Sequence, residues 1–230
     1  MDSIFEREEW LLGKEAVKAL IDKQVVLFGL GGVGGACFEA LVRAGIGTIA
    51  VVDGDAFAPS NLNRQILSDQ SSVGMPKTEV ALKRGQSINP SIRIVPINEF
   101  YRPESPCIDD FSKFDYVIDC IDDVKAKLDI IAKANEADVP IISALGCGNK
   151  IHPESLHVSD IFKTDTDPLA RVIRQKLRKM GIRKLDVVYS DEKPIQNLED
   201  PTRIGSISFV PPVAGYLMAA HAIRRMLNLQ

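Results

Sequence analysis

"VVLFGLGGVGG" (residues 25–35) decides the fold. A β-branched, wholly apolar run that stops at a glycine reads as a parallel strand buried on both faces. Gly29, Gly31 and Gly34 follow in the G-x-G-x-x-G spacing, and the pattern turns helical over 33–44. The next apolar run, "TIAVVDGD" (48–55), reaches Asp53, the acid that a strand–glycine turn–helix–strand unit places after its second strand. Backbone N–H groups at such a helix N-terminus can hold phosphate oxygens without a steric penalty. Asp53 stands where a carboxylate either accepts both hydroxyl protons of a ribose or caps the next turn.

The alternation continues in both directions from that unit. A helix over 77–88 is stopped by Asn89-Pro90, and "IRIVPI" (92–97) follows as a strand. "DYVIDCID" (115–122) and "VPIISALG" (139–146) are further strands, with a helix over 124–137 between them. Strands and helices alternating across 24–146 imply an α/β, Rossmann-like doubly wound sheet, mostly parallel and covered on both faces. Beyond Gly146 the pattern changes. "LHVSDI" (156–161) and "LDVVYS" (185–190) read as strands of a small C-terminal antiparallel extension. A helix between them starts near Pro168 with Asp167 as its N-cap. "ISFVPPVAGYLMAAHAI" (207–223), broken by Pro211 and Pro212, is too short for a membrane span and reads as a loop followed by a buried helix. With no repeat or linker, residues 1–230 are expected to form one domain: a nucleotide-binding core (24–146), then a substrate-binding extension and closing helix (147–230).

Composition narrows the class. The chain is 45 % hydrophobic and 26 % charged with a net charge of -3, which argues against a generally basic nucleic-acid coat but leaves a local patch open. Its four cysteines, at 37, 107, 120 and 147, form no C-x-x-C pair, so neither a zinc site nor a disulfide framework is expected. "MDSIFEREEW" is acidic and lacks an apolar signal core, which points to the cytoplasm.

"DGDAFAPSNLNRQ" (53–65) holds more than a dinucleotide needs. A hydride-transfer enzyme must hold a pyrophosphate. An adenylating enzyme must also stabilise charge growing on the α-phosphate and the departing pyrophosphate, and fixed cations do that. Arg64 and Lys77 are those cations. Asp55 is as readily a turn residue. "DCIDD" sets Asp119, Asp122 and Asp123 near the carboxyl end of the sheet, where one of them could hold Mg²⁺ and others cap a helix. His152, His157 and His221 show no metal spacing, and Tyr189 and Phe209 read as core residues.

These segments, with "GMPKTEVA" (74–81) and "INP" (88–90), resemble in order and spacing the ubiquitin-activating-enzyme-like superfamily, which includes the molybdopterin and thiamine adenylyltransferases. The resemblance covers residues 5–146. It implies activation of a carboxylate as an acyl-adenylate with ATP and Mg²⁺. It sets Gly29, Gly31, Gly32 and Gly34 at the phosphate loop, Asp53 on the ribose, and Asn61, Arg64, Gln65 and Lys77 among the nucleotide contacts. Asp122 would serve the metal, making Arg64, Lys77 and Asp122 the catalytic candidates. A homodimer is implied too, with an arginine reaching across from the partner's N-terminus. Arg7 is the only arginine before Arg43, although "IFEREE" departs from the family's usual motif.

"DPLARVIRQKLRKMGI" (167–182), "VVYSDEKP" (187–194) and "GSISFVPPVAGYLMAAHAI" (205–223) are similar to a narrower branch, the tRNA threonylcarbamoyladenosine dehydratases, with a shortened loop before the last segment. That branch implies adenylation of the threonyl carboxylate on a modified anticodon-loop adenosine. A nitrogen of the same modification then closes a ring and releases AMP. A tethered nucleophile needs no enzyme thiol, and no cysteine follows Cys147. Arg171, Arg174, Lys176, Arg178, Lys179, Arg183 and Lys184 form a run without an acid. Leu169, Val172, Ile173, Leu177 and Met180 give the same segment a core face, so the cations are expected to be exposed and to contact tRNA phosphates. Two other readings stand beside this one. The first is an adenylyltransferase for a small carrier protein ending in Gly-Gly. The second is an NAD-binding regulator or reductase, disfavoured by Arg64 and Lys77. A monovalent cation near the C-terminal region and a cysteine-desulfurase sulfur-transfer partner are left open.

Overall fold

The computed structural model describes residues 3–196, 200 and 203–229. These residues form one seven-stranded sheet in the order β3-β2-β1-β4-β5-β7-β6. The strands are β1 (Gln24–Phe28), β2 (Thr48–Val52), β3 (Arg93–Ile97), β4 (Tyr116–Asp119), β5 (Ile141–Ala144), β6 (Leu156–Asp160) and β7 (Asp186–Ser190). Every neighbouring pair is parallel except β6 with β7. The antiparallel pair lies where the pattern change after Gly146 put it. It is not a separate sheet, because β7 pairs in parallel with β5 and so extends the core. The alternation along β7 explains this: Val187 and Tyr189 join one buried cluster and Val188 the opposite one, so the strand needs cover on both faces.

The cover comes from seven helices among the described residues: α1 (Glu6–Leu12), α2 (Lys14–Ile21), α3 (Gly32–Arg43), α4 (Lys77–Ile88), α5 (Val124–Glu136), α6 (Pro168–Lys179) and α7 (Val210–Met226). β1 divides its residues between two layers. Val25 and Leu27 pack with α3 and α7, whereas Val26 and Phe28 face α5. From β1 the chain winds first to β2 and β3 on one side, then to β4 and β5 on the other. The crevice above the carboxyl ends of β1 and β4 is therefore the switch point at which ligands bind in such sheets.

Backbone packing makes this crevice. Gly29 has φ +87°, a conformation that side chains resist. A Cβ on Gly34 would lie 1.8 Å from the Gly29 carbonyl oxygen, so α3 meets the end of β1 with no side chain between them. α7 presses on α3 in the same manner, since a Cβ on Gly215 would lie 2.2 Å from the Val33 carbonyl oxygen. Pro211 and Pro212 begin α7 instead of breaking it, because first-turn N–H groups have no intrahelical acceptor to lose.

Several expected core positions differ. α6 buries Ala170, Ile173 and Leu177, but Val172 is 42 % exposed and Met180 45 %. Only a narrow stripe of this surface helix touches the sheet, and those two residues fall on its flanks. Phe209, at the N-cap of α7, is also exposed. Tyr189 is buried, edge-on to His157. His221 is packed in α7, its Nε2–H donating to Asp186 at 3.0 Å.

Gly34→Ala drives a methyl into the Gly29 carbonyl, which costs more than about 3 kcal/mol, the upper end of ordinary overpacking. Urea unfolding monitored by circular dichroism is expected to show a midpoint far below wild type or no cooperative transition.

Candidate active site

The crevice is a cavity of about 800 Å³, a volume suited to a nucleotide. Gly29, Gly31, Gly32, Asp53, Asn61, Arg64, Gln65, Lys77 and Asp122 all line it. Gly34 does not. It lies behind the loop, where its missing Cβ lets α3 approach β1, so its place is packing and not ligand contact. Nothing lies within 4 Å of a Cβ built on Gly31, so that glycine opens onto free volume at the start of α3.

Asp53 directly follows β2 and ties two turns together. One oxygen accepts the Leu30 N–H at 2.6 Å and the other the Asp55 N–H at 2.8 Å. It therefore caps its turn, and a carboxylate with about four lone-pair sites retains capacity for a ligand's hydroxyls. Lys77, the first residue of α4, is buried with its ammonium 3.7 Å from Asp53 and 3.0 Å from Asp55. Asp55 thus has a definite task as the closer anchor of Lys77. The "NLNRQ" loop forms the opposite wall. Asn61 accepts the Ala58 N–H through its side-chain oxygen, which leaves its NH₂ as the donor available to a ligand. Arg64 is held at rest by the Ser60 carbonyl (2.9 Å) and the Asn63 side chain (3.0 Å). Gln65 is buried, and its side-chain oxygen has no hydrogen-bond partner among the described residues.

The acids of "DCIDD" separate by task. Asp123 caps α5 by accepting the Ala126 N–H at 2.7 Å. Asp119 is fully buried and paired with Lys127, a residue that sequence reasoning missed because a lone lysine in an amphipathic helix reads as surface. Asp122 is exposed on the cavity wall, with no ion pair among the described residues. Its hard oxygen donors fit Mg²⁺, which takes one or two carboxylates and completes its shell with phosphate oxygens and water.

All four thiols lie above the usual cysteine range because burial disfavours the thiolate, and Cys147 is pushed up to about 11. A cysteine nucleophile acts as its thiolate, and burial disfavours that form at all four positions.

The basic segment divides as well. Arg171, Lys176, Arg178, Lys179, Arg183 and Lys184 are exposed. Arg174 is turned inward, donating to the Thr164 carbonyl at 2.7 Å and to the Thr164 hydroxyl, and it does not belong to the exposed patch. Three carbonyl and hydroxyl acceptors on Ile161 and Thr164 of the β6–α6 loop outcompete solvent for its guanidinium. Arg178 lies over the Phe162 ring, and Lys184 is 3.8 Å from Asp186.

Residues 6–230 match the ThiF family. The tRNA threonylcarbamoyladenosine dehydratase of Bacillus subtilis is 38 % identical, with 97 % of this chain and 94 % of that protein aligned. The crystal structure of the Escherichia coli tRNA N6-threonylcarbamoyladenosine dehydratase in complex with ATP superposes with a TM-score of 0.88 at 31 % identity, covering 97 % of this chain and 93 % of that one. The E. coli molybdopterin-synthase adenylyltransferase is 37 % identical over only 57 % of this chain and 51 % of its own length. The chain belongs to the ThiF family and, within it, to the branch of the tRNA threonylcarbamoyladenosine dehydratases.

Cys147→Ala is expected to leave turnover within about twofold of wild type, because a protonated, buried thiol contributes packing and not a nucleophile. A steady-state assay of AMP release checks this, and a loss of a hundredfold or more would return the cysteine to the mechanism.

Proposed function

We propose that this protein is an ATP-dependent tRNA threonylcarbamoyladenosine dehydratase. One observation carries the reading: Asp53, Arg64, Lys77 and Asp122 line a single cavity, while burial raises every cysteine above its usual range and so disfavours the thiolate. That combination suits carboxylate activation followed by attack from within the substrate. An oxygen of the threonyl carboxylate attacks the α-phosphorus of ATP, and pyrophosphate leaves. Arg64 and Lys77 stabilise the charge that gathers on the phosphates. A nitrogen of the same modification then attacks the acyl carbon, closing the ring as AMP departs with the carboxylate oxygen. The net change in the nucleoside is loss of one water. Mg²⁺, held by Asp122, would neutralise charge on the phosphates when bound.

The remaining parts of the reading follow from the surface. The exposed cations Arg171, Lys176, Arg178, Lys179, Arg183 and Lys184 would contact phosphates of the anticodon arm. α6 starts on the carboxyl side of β5, where Asp167 accepts the Gly146 N–H just beyond that strand. A homodimer is supported by α1, where Trp10 is 72 % and Leu11 82 % exposed beside Arg7, apolar surface that a second copy would cover. Such an enzyme would work in the cytoplasm, where its tRNA is found. A carrier-protein adenylyltransferase is the second reading, favoured only by the shared nucleotide half.

The deciding experiment is mass spectrometry of nucleosides from tRNA bearing threonylcarbamoyladenosine after incubation with the protein and Mg-ATP. The modified nucleoside is expected to lose one water. Arg64→Ala is expected to slow that conversion by about 10²–10³-fold, the range for removing one preorganised donor to developing charge. An unchanged nucleoside, with pyrophosphate exchange into ATP supported by a Gly-Gly carrier instead, would transfer the assignment to the second reading.

Charge reversal on α6 separates its residues. Arg171→Glu and Arg178→Glu are expected to raise the KM for tRNA at unchanged ATP affinity, with the log–log salt slope falling by about one for each lost phosphate contact. Arg174→Glu is expected to act on the melting temperature instead, since it breaks the loop contacts and touches no solvent-facing patch.

A further inference from the structure

Lys127 and Asp119 form an ion pair of 2.6 Å with both side chains at 0 % exposure. An apolar pair of similar volume is often as stable, so a buried ion pair is poorly explained by stability alone. This one is completely wired. The Lys127 ammonium also donates to the Ser143 hydroxyl and the Ala144 carbonyl, each at 3.0 Å, which uses all three of its N–H groups. The Ser143 hydroxyl donates to the same Asp119 oxygen that Lys127 holds. The other Asp119 oxygen accepts the Ile121 N–H at 3.2 Å. The end of β4, the end of β5 and the first turns of α5 are thereby locked to one carboxylate.

That carboxylate orients the Cys120–Asp122 turn, which forms a wall of the cavity. The turn is jammed against the glycine loop: a Cβ on Gly29 would lie 3.0 Å from the Cys120 carbonyl oxygen, and one on Gly34 would lie 3.2 Å from the Cys120 Cβ. A small rotation of Asp119 would therefore move Asp122 relative to the phosphate loop. We propose that Lys127 is a positioning residue for nucleotide activation, fixing through Asp119 and the Ile121 amide the turn that presents Asp122 to Mg-ATP. The proposal rests on the reading of Asp122 as the metal's carboxylate.

Lys127→Met alone strands a buried carboxylate and is expected to impair folding, so the informative variant is Asp119→Leu/Lys127→Met. It removes both charges while keeping apolar volume, and it leaves the Ile121 amide without its acceptor. ATP affinity is measured by calorimetry with and without Mg²⁺, alongside melting temperature and the rate of AMP formation. The double variant is expected to melt near wild type and to bind ATP alone as wild type does. Its Mg²⁺-dependent gain in ATP affinity is expected to fall by about tenfold and its kcat by about 10–100-fold, as when an outer partner of a metal ligand is lost. A folded double variant with an undiminished Mg²⁺ effect overturns the proposal. So does equal weakening with and without Mg²⁺, which marks a general structural role. Ser143→Ala keeps both charges and is read the same way if the double variant does not fold: a partial loss confined to the Mg²⁺ effect supports the proposal, and none overturns it. Asp122→Ala is run beside them, and if it retains the Mg²⁺ effect the metal assignment fails and the proposal with it. No tRNA enters the binding measurement, so failure of the substrate assignment leaves these outcomes readable.

Discussion

The architecture depends on a contact between two stretches of backbone, the Gly29 carbonyl lying where Gly34 would carry a Cβ. Because no side chain intervenes, the first turn of α3 sits directly on the end of β1 and its N–H groups open into the cavity. The β4–α5 turn closes on the same point through Cys120, and α7 closes on α3 through Gly215. Three approaches of this kind leave little room for adjustment. A close-packed interior transmits a misfit instead of absorbing it, so the phosphate-binding geometry and the stability of the sheet are coupled.

Charge is arranged on that rigid frame in two regimes. Around the cavity the groups are held by their neighbours: Lys77 between Asp53 and Asp55, Arg64 on the Ser60 carbonyl. Such preorganisation is the condition under which fixed charges stabilise a transition state without reorganising. On α6 the cations Arg171, Lys176, Arg178 and Lys179 are instead exposed. Arg174, whose guanidinium serves the loop before α6, belongs to neither group.

Most of the frame was legible in the residues. β1, the glycine turn and the acid after β2 carry a periodicity and a spacing that few other structures satisfy, whereas Arg64 and Lys77 are singled out by the charge that adenylation must stabilise and Asn61 and Gln65 by family resemblance. Three features resisted. The parallel pairing of β7 with β5 is set by which strand edge remains unpaired, and "LDVVYS" does not encode its neighbour. Val172 and Met180 fit a helical core stripe, but a helix on the outside of a sheet buries a narrower arc than its apolar residues allow. Lys127 shows no local signal at all. Its partners, Asp119 and Ser143, come from two different strands and meet it only in three dimensions.

The packing of α7 on α3 also has a consequence for how the chain is made. α3 supplies the phosphate turn early in synthesis, whereas the helix that clamps it spans Val210–Met226. During elongation the nucleotide-binding half emerges with the apolar side of α3 uncovered until those late residues leave the ribosome. Long-range contacts of this kind form slowly and leave hydrophobic surface open to chaperones in the interval. The glycine turn at the start of α3 therefore reaches its final packing only once Val210–Met226 has docked on it.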